Sequence, residues 1–240
     1  MTTLSIQNVS VARGPRNVVH DVNIEVPPGE VTAILGPNGA GKSSLALGCA
    51  GLARVTKGFI NLDDKNLAND RPERIRAAGI SVVPEGRRML SDLTVEENLR
   101  VATYSLGKRA ATDGLAYTLS LFPELEKRWS IQGRLLSGGE QQMVVLAQAL
   151  VSRPKILLVD ELSLGLAPIV VKRLVPTLAE VAASGVGVLL IEQFAHVALS
   201  LANAAYVLEG GRVRYSGSAA ELSQHPELLH SAYLLRQRGA

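Results

Sequence analysis

Three short stretches of this chain combine residue types that could act on a phosphoanhydride. The first is Gly36-Pro37-Asn38-Gly39-Ala40-Gly41-Lys42-Ser43-Ser44, which fits the pattern G-x-x-x-x-G-K-[ST]. Its glycines let the backbone fold around phosphate groups with the N–H donors turned inward. Lys42 would then reach the β- and γ-phosphates, and Ser43 would be a ligand to Mg2+. The second is Asp160-Glu161, at the end of the apolar run ILLV. Two acids at the carboxyl end of a parallel strand lie where open α/β sheets bind ligands. Asp160 would hold the metal, directly or through water, and Glu161 would polarise an attacking water. The third is Ser137-Gly138-Gly139, within LLSGGEQQM, just before a helix-like segment. A helix start presents unpaired N–H groups to an anion. The plainer readings are a turn, acids at a helix start, and a helix cap without ligand.

The flanking sequence supplies elements to position these groups. VTAILG (31–36) is a continuous apolar run, as in a strand buried on both faces, and KSSLALGCAGL after the loop reads as a helix. KILLVDE (155–161) and GVGVLLIEQ (185–193) are buried strands with a helix between them, which makes a right-handed parallel βαβ unit. LSIQNV (4–9), VNIEV (22–26), GFINLD (58–63) and GISVVP (79–84) read as further strands. From about 86 to 150 the pattern is mostly helical, with a capping box at Thr94-x-x-Glu97. AAYVLEGGRVRYSG (204–217) reads as a hairpin, Ser218-x-x-Glu221 opens a last helix, and the tail HPELLHSAYLLRQRGA is amphipathic. The sequence therefore predicts a parallel α/β core with a helical insertion.

Composition narrows the function classes. The chain has 240 residues, is 47% hydrophobic and carries a net charge of +3. No dense basic run with interleaved aromatics is present, which argues against nucleic-acid binding. The single cysteine, Cys49, lies in an apolar stretch and reads as a buried structural thiol. MTTLSIQNVS lacks a signal-peptide pattern, and no run of 18 apolar residues occurs, so a cytosolic chain is expected. No N-K-x-D motif is found, which disfavours a GTPase.

Together these motifs resemble the ATP-binding-cassette ATPases, for which LSGGEQQ is the family signature, and the resemblance covers essentially the whole chain. It implies an α/β P-loop NTPase fold with a RecA-like parallel core, an antiparallel β subdomain and an inserted α-helical subdomain. Residues 1–240 would form one ATPase domain, with 1–85 and 151–240 as the core and 86–150 as the helical signature part. It implies ATP and Mg2+ as cofactors, with residues 36–44 holding one ATP. Ser137, Gly138, Gly139 and Glu140 would meet the γ-phosphate of an ATP held by another subunit. Two cassettes would then close head to tail on two nucleotides.

Four positions depart from the usual family pattern. Glu85 stands where most relatives have Gln, and a carboxylate can also ligate a hard cation. Gln193 stands where most have His; it can donate to the γ-phosphate but cannot titrate. With VPEGRR, TVEENL, SLGLAP, IEQ and HSAYL, these two look like the ATPase subunits of branched-chain amino-acid importers. His196 reads as an ordinary helix residue. Leu162 replaces a usual Pro, which suggests a looser site. Arg13 lies where an aromatic normally stacks on adenine, and a guanidinium can also stack there.

The resemblance implies transmembrane permease subunits as partners, with Arg87, Arg88 and Leu93 as candidate docking residues. It also implies a second ATPase subunit, a heterodimer rather than a homodimer, and a solute-binding protein reached indirectly. The chain would lie at the cytoplasmic face of the membrane. Import of urea, amides or another small organic acid stays open, as does a weakly active scaffold paired with an active cassette. A soluble cassette acting on ribosomes or DNA is disfavoured, since such chains usually carry two cassettes or a coiled-coil insertion.

Overall fold

The computed structural model describes residues 2–225 and 227. The chain begins with β1 (Leu4–Arg13), β2 (Arg16–Val26) and β3 (Val31–Leu35), followed by α1 (Lys42–Cys49). Next come β4 (Arg54–Leu62), β5 (Lys65–Asn66), α2 (Pro72–Ala78) and β6 (Ile80–Val83). The helical stretch comprises α3 (Val95–Ala102), α4 (Lys108–Leu121), two short 3-10 turns and α5 (Gly138–Leu150). The remainder is β7 (Ile156–Asp160), α6 (Pro168–Ala183), β8 (Gly187–Glu192) and α7 (Ala195–Leu199). It closes with β9 (Ala204–Glu209), β10 (Arg212–Ser218) and α8 (Ala219–Gln224).

The strands form two sheets. One has the order β2-β1-β4-β5 and is antiparallel. The other has the order β10-β9-β3-β8-β7-β6; all its pairs are parallel except β9 with β10. The expected βαβ unit is β7-α6-β8, with Ile156 beside Gly187 and Asp160 beside Ile191. β1 and β2 run further than the alternating segments 4–9 and 22–26, because they continue to a turn at Gly14–Pro15. Register shifts interrupt their pairing, and Asn8 beside one of them has φ of 51°. Those shifts hide the period-two pattern from the sequence.

The parallel strands are buried on both faces, and their alternate residues enter two apolar cores. Ala33, Leu157, Val159, Val188 and Leu190 face one core, and Ile34, Leu158, Leu189 and Ile191 face the other. The second core also receives β1, β2 and α1, including Cys49. Burial pushes the Cys49 thiol up to about 12, so it is an inert packing group at neutral pH. The helical stretch has no core of its own. Val144, Leu146 and Leu150 of α5 join the same cluster as β3, β7 and β8. That shared packing ties the helical signature segment to the sheet that carries the acids. The tail beyond His225, on which HSAYL falls, lies outside the described residues, apart from Glu227.

Candidate nucleotide site

The phosphate-loop motif sits between β3 and α1. Gly36 passes so close to the carbonyl of Leu208 that a side chain there would collide with it. Gly41 has φ of 103°, and a β-carbon on it would stand 2.8 Å from the carbonyl of Val18. Only glycine meets both demands. Ala40 donates to Pro37 O at 3.1 Å, and its own carbonyl accepts from Gly211 N at 2.9 Å. The loop is therefore pinned to the β9–β10 hairpin.

Lys42 is 4% exposed, and its ammonium donates to Gly36 O (2.8 Å) and Pro37 O (3.2 Å). Burial lowers its pKa, opposed by the charges of Glu161, Asp160, Glu192 and Glu85. A cation held by its own loop carbonyls is placed to exchange them for phosphate oxygens. The cavity in front of the loop is about 350 Å³, and Arg13, Lys42, Ser43, Glu85, Glu161 and Leu164 are among its lining. Arg13 Nε reaches Ser44 Oγ at 3.2 Å, which brings this cation to the rim of the cradle.

Asp160 ends β7, where the sheet delivers it beside the loop. It is 5% exposed; Ser43 donates a hydrogen bond to its carboxylate, while Oδ1 has no partner. Burial, with the neighbouring charges of Glu161 and Glu85, pushes this carboxyl up to about 6. A buried, unpaired carboxylate oxygen beside a serine hydroxyl suits a hard divalent cation. Among the described residues, no group of three or more His, Cys, Asp or Glu forms a metal cage.

Glu161 follows with φ of 53°, a conformation that costs a non-glycine residue about 1–3 kcal/mol. Its N–H donates to Ile191 O at 2.9 Å, which turns the carboxylate into the cavity. Burial, then the charges of Glu85 and Glu192, raise its pKa against Lys42. Leu162 stands where the sequence suggested a looser site. Its side chain is fully buried in the main core and anchors the turn that presents Glu161.

Glu192 is a partner the sequence did not reveal. It is 1% exposed at the end of β8, and it accepts from Ser163 N (2.9 Å) and Ser163 Oγ (2.8 Å). It thereby ties the loop after Glu161 to the strand end that leads into Gln193. Gln193 is half-buried beyond β8 and is not among the residues lining the cavity. His196 lies on α7 and faces a separate apolar groove between α6 and α7.

The signature segment lies on α5, and none of its residues lines the cavity of the phosphate loop. Ser137 is the N-cap, and its hydroxyl accepts from Glu140 N at 3.3 Å. Glu140, expected from the sequence beside a phosphate, has its carboxylate engaged within this chain. Its carboxylate accepts from Ser137 N and Oγ, both at 2.8 Å, and pairs with Arg128 at 2.6 Å. An acid closed into a capping box orients the helix start.

The loop after β6 carries Glu85 to the cavity edge. Buried Asn98 organises this loop: its Nδ2 donates to Leu90 O and Thr94 O, both at 2.9 Å, and its Oδ1 accepts from Leu90 N at 2.9 Å. Arg88 is exposed as expected, and Leu93 is half-buried. Arg87 turns inward instead, donating to the carbonyls of Leu164 (3.2 Å) and Gly165 (2.8 Å).

The ABC transporter family profile matches residues 19–163, from within β2 to the loop after Glu161. The chain belongs to the ABC transporter family. It is 41% identical over 231 residues to the high-affinity branched-chain amino acid transport ATP-binding protein BraG of Pseudomonas aeruginosa, covering 96% of this chain and 99% of that one. It is 34% identical over 213 residues to the probable branched-chain amino acid transport ATP-binding protein LivF of Archaeoglobus fulgidus, covering 87% and 89%. A solved ATP-binding subunit of an ABC transporter superposes with a TM-score of 0.80 at 31% identity, covering 94% of this chain and 93% of that one. This ABC protein is an ATPase with the P-loop NTPase fold. No helix among its described residues is long and apolar enough to cross a membrane.

Proposed function

We propose that this chain is the ATP-hydrolysing subunit of a membrane importer for branched-chain amino acids. The observation that carries the reading is the separation of two half-sites on one core. The phosphate loop, Asp160 and Glu161 share one cavity, while Ser137, Gly138 and Gly139 lie outside it. Each chain would bind ATP on residues 36–44 and offer its signature to the ATP of a second cassette, so that nucleotide holds the pair together. Residues 1–85 and 151–240 would form the catalytic core and 86–150 the signature part.

The residues then divide the work. The loop N–H groups and Lys42 hold the β- and γ-phosphates, and Arg13 covers the base. Ser43 and Asp160, with Glu85 at the rim, would hold Mg2+, which supplies charge neutralisation on the phosphate oxygens when bound. Glu161 orients water and accepts its proton as the water oxygen bonds to the γ-phosphorus and the β–γ bridging bond breaks. ADP keeps the bridging electrons, and inorganic phosphate leaves. Glu161 is suited to this by a pKa raised towards neutrality and by the backbone that aims it. Gln193 would donate to the γ-phosphate once the pair closes. Loss of that phosphate removes the link between cassettes, and the pair opens.

Membrane permease subunits are the partners this reading needs, at the cytoplasmic face of the membrane. Leu90 in the loop after β6, and Val101 and Tyr104 near the end of α3, are exposed apolar residues that a permease subunit would cover. The second cassette is proposed to be an unlike ATPase subunit, and a solute-binding protein would act through the permease. The test is hydrolysis by the chain assembled with its permease subunits in proteoliposomes. Stimulation by leucine, isoleucine or valine with the binding protein supports the solute assignment. Stimulation by urea or amides alone would overturn that assignment and leave the motor intact.

A further inference from the structure

We infer that Arg87 is a phosphate-binding residue of the signature half-site, acting on the nucleotide held by the partner cassette. This rests on the two-cassette reading proposed above. Arg87 has φ of 49°, and this left-handed backbone turns its side chain inward from the loop after β6. Nη2 is held by the carbonyls of Leu164 and Gly165 at 3.2 and 2.8 Å. Nη1 lies over the start of α5: a β-carbon on Gly138 would stand 2.6 Å from it, and one on Gly165 would stand 3.0 Å from Nη2. The small residues at 138 and 165 therefore leave the space that the guanidinium fills.

The electrostatics of this placement suit an anionic ligand. Arg87 has no carboxylate within ion-pair distance among the described residues, and Nη1 and Nε have no hydrogen-bond acceptor there. The start of a 13-residue helix carries partial positive charge. A cation beside it is a like-charge arrangement, eased by two carbonyl dipoles and by the Glu140 carboxylate, which is itself paired with Arg128. A phosphate entering between Nη1 and the N–H groups of Gly138 and Gly139 would satisfy all of them at once. Because the same guanidinium grips Leu164 and Gly165, the arrival of a partner's phosphate would also be felt in the loop that follows Glu161.

The experiment uses the full chain carrying Glu161→Gln, with Mg-ATP, alone and with a second cassette subunit, and measures association by sedimentation. Adding Arg87→Ala should weaken ATP-driven association by about tenfold or more, the scale of one charge-assisted hydrogen bond. Arg87→Lys keeps the charge but cannot span both carbonyls, and it should restore most of the association. Fluorescent-nucleotide affinity of the isolated chain reports on its own cradle. Unchanged association in Arg87→Ala overturns the inference. So does an equal loss in the Lys variant, which would make Arg87 a carbonyl latch, and so does a matching loss of affinity in the isolated chain, which would make its role structural. If Glu161→Gln itself associates with neither copy nor partner under ATP, the two-cassette reading fails and Arg87 falls with it.

Discussion

Replacing Asp160 by Asn should stabilise the nucleotide-free chain while abolishing its Mg2+-dependent activity. Asp160 is 5% exposed, has an unpaired Oδ1 and is pushed from an ordinary value of 3.8 up to about 6, mainly by burial. A carboxyl whose pKa is raised by folding favours the folded state while protonated. That advantage is complete below its unfolded value and is lost as pH rises through about 6. At about 1.4 kcal/mol per pK unit, the ionised group costs the fold about 3 kcal/mol at pH 8. Asn is neutral at every pH and can still accept the bond from Ser43. In a domain of this size the gain corresponds to a Tm increase on the order of 5–10 °C at pH 8. At pH 5 the gain should shrink to roughly half, because the wild-type group is by then largely protonated in the fold. Thermal denaturation of both proteins at the two pH values, without nucleotide, measures this. Mg-ATP should reverse the order at pH 8 by protecting wild type alone. A variant that melts lower than wild type at pH 8, or whose advantage is the same at both pH values, would refute the reasoning.

Other perturbations probe the neighbouring parts. Glu192→Ala removes the acceptor of Ser163 N and Oγ; it should cost about 1–3 kcal/mol in denaturant unfolding and lower kcat more than it raises KM. Leu162→Ala should cost about 2–5 kcal/mol, since the side chain is fully buried; a loss under 1 kcal/mol would restore the picture of a loose loop. Arg13→Ala should weaken ATP affinity several-fold, about 0.5–2 kcal/mol, and narrow the preference for ATP over other nucleoside triphosphates; unchanged binding would remove Arg13 from the base site.

The phosphate loop and the paired acids were legible because each is contiguous in sequence and sits at a strand end whose apolar run announces burial. β3 and β7 could be read for that reason, as could the helix caps at Thr94 and Ser137. What escaped depends on contacts across the chain. Glu192 looked like one more polar residue at the end of a strand; its bond to Ser163 spans 29 positions. Arg87 read as a solvated docking residue because nothing local reveals a positive φ or a link to residues 77 and 78 positions away. Glu140 was grouped with its signature neighbours, although S-x-x-E is itself a capping-box pattern that could have assigned it. Leu162 was weighed only for the backbone freedom that a missing proline gives. Its burial follows from the fold around it, which local sequence does not encode.

In the proposed mechanism, Glu161 drives hydrolysis of an ATP that also joins two cassettes. The most direct measurement compares Mg-ATP turnover and ATP-dependent association for wild type and Glu161→Gln, each alone and with a second cassette subunit. The expected result is turnover by wild type, a fall of about 10²–10⁴-fold in the variant, and a stable ATP-bound pair formed by the variant and dispersed by ADP. Turnover that survives Glu161→Gln, or a variant that stays monomeric under ATP with and without the second subunit, would contradict it.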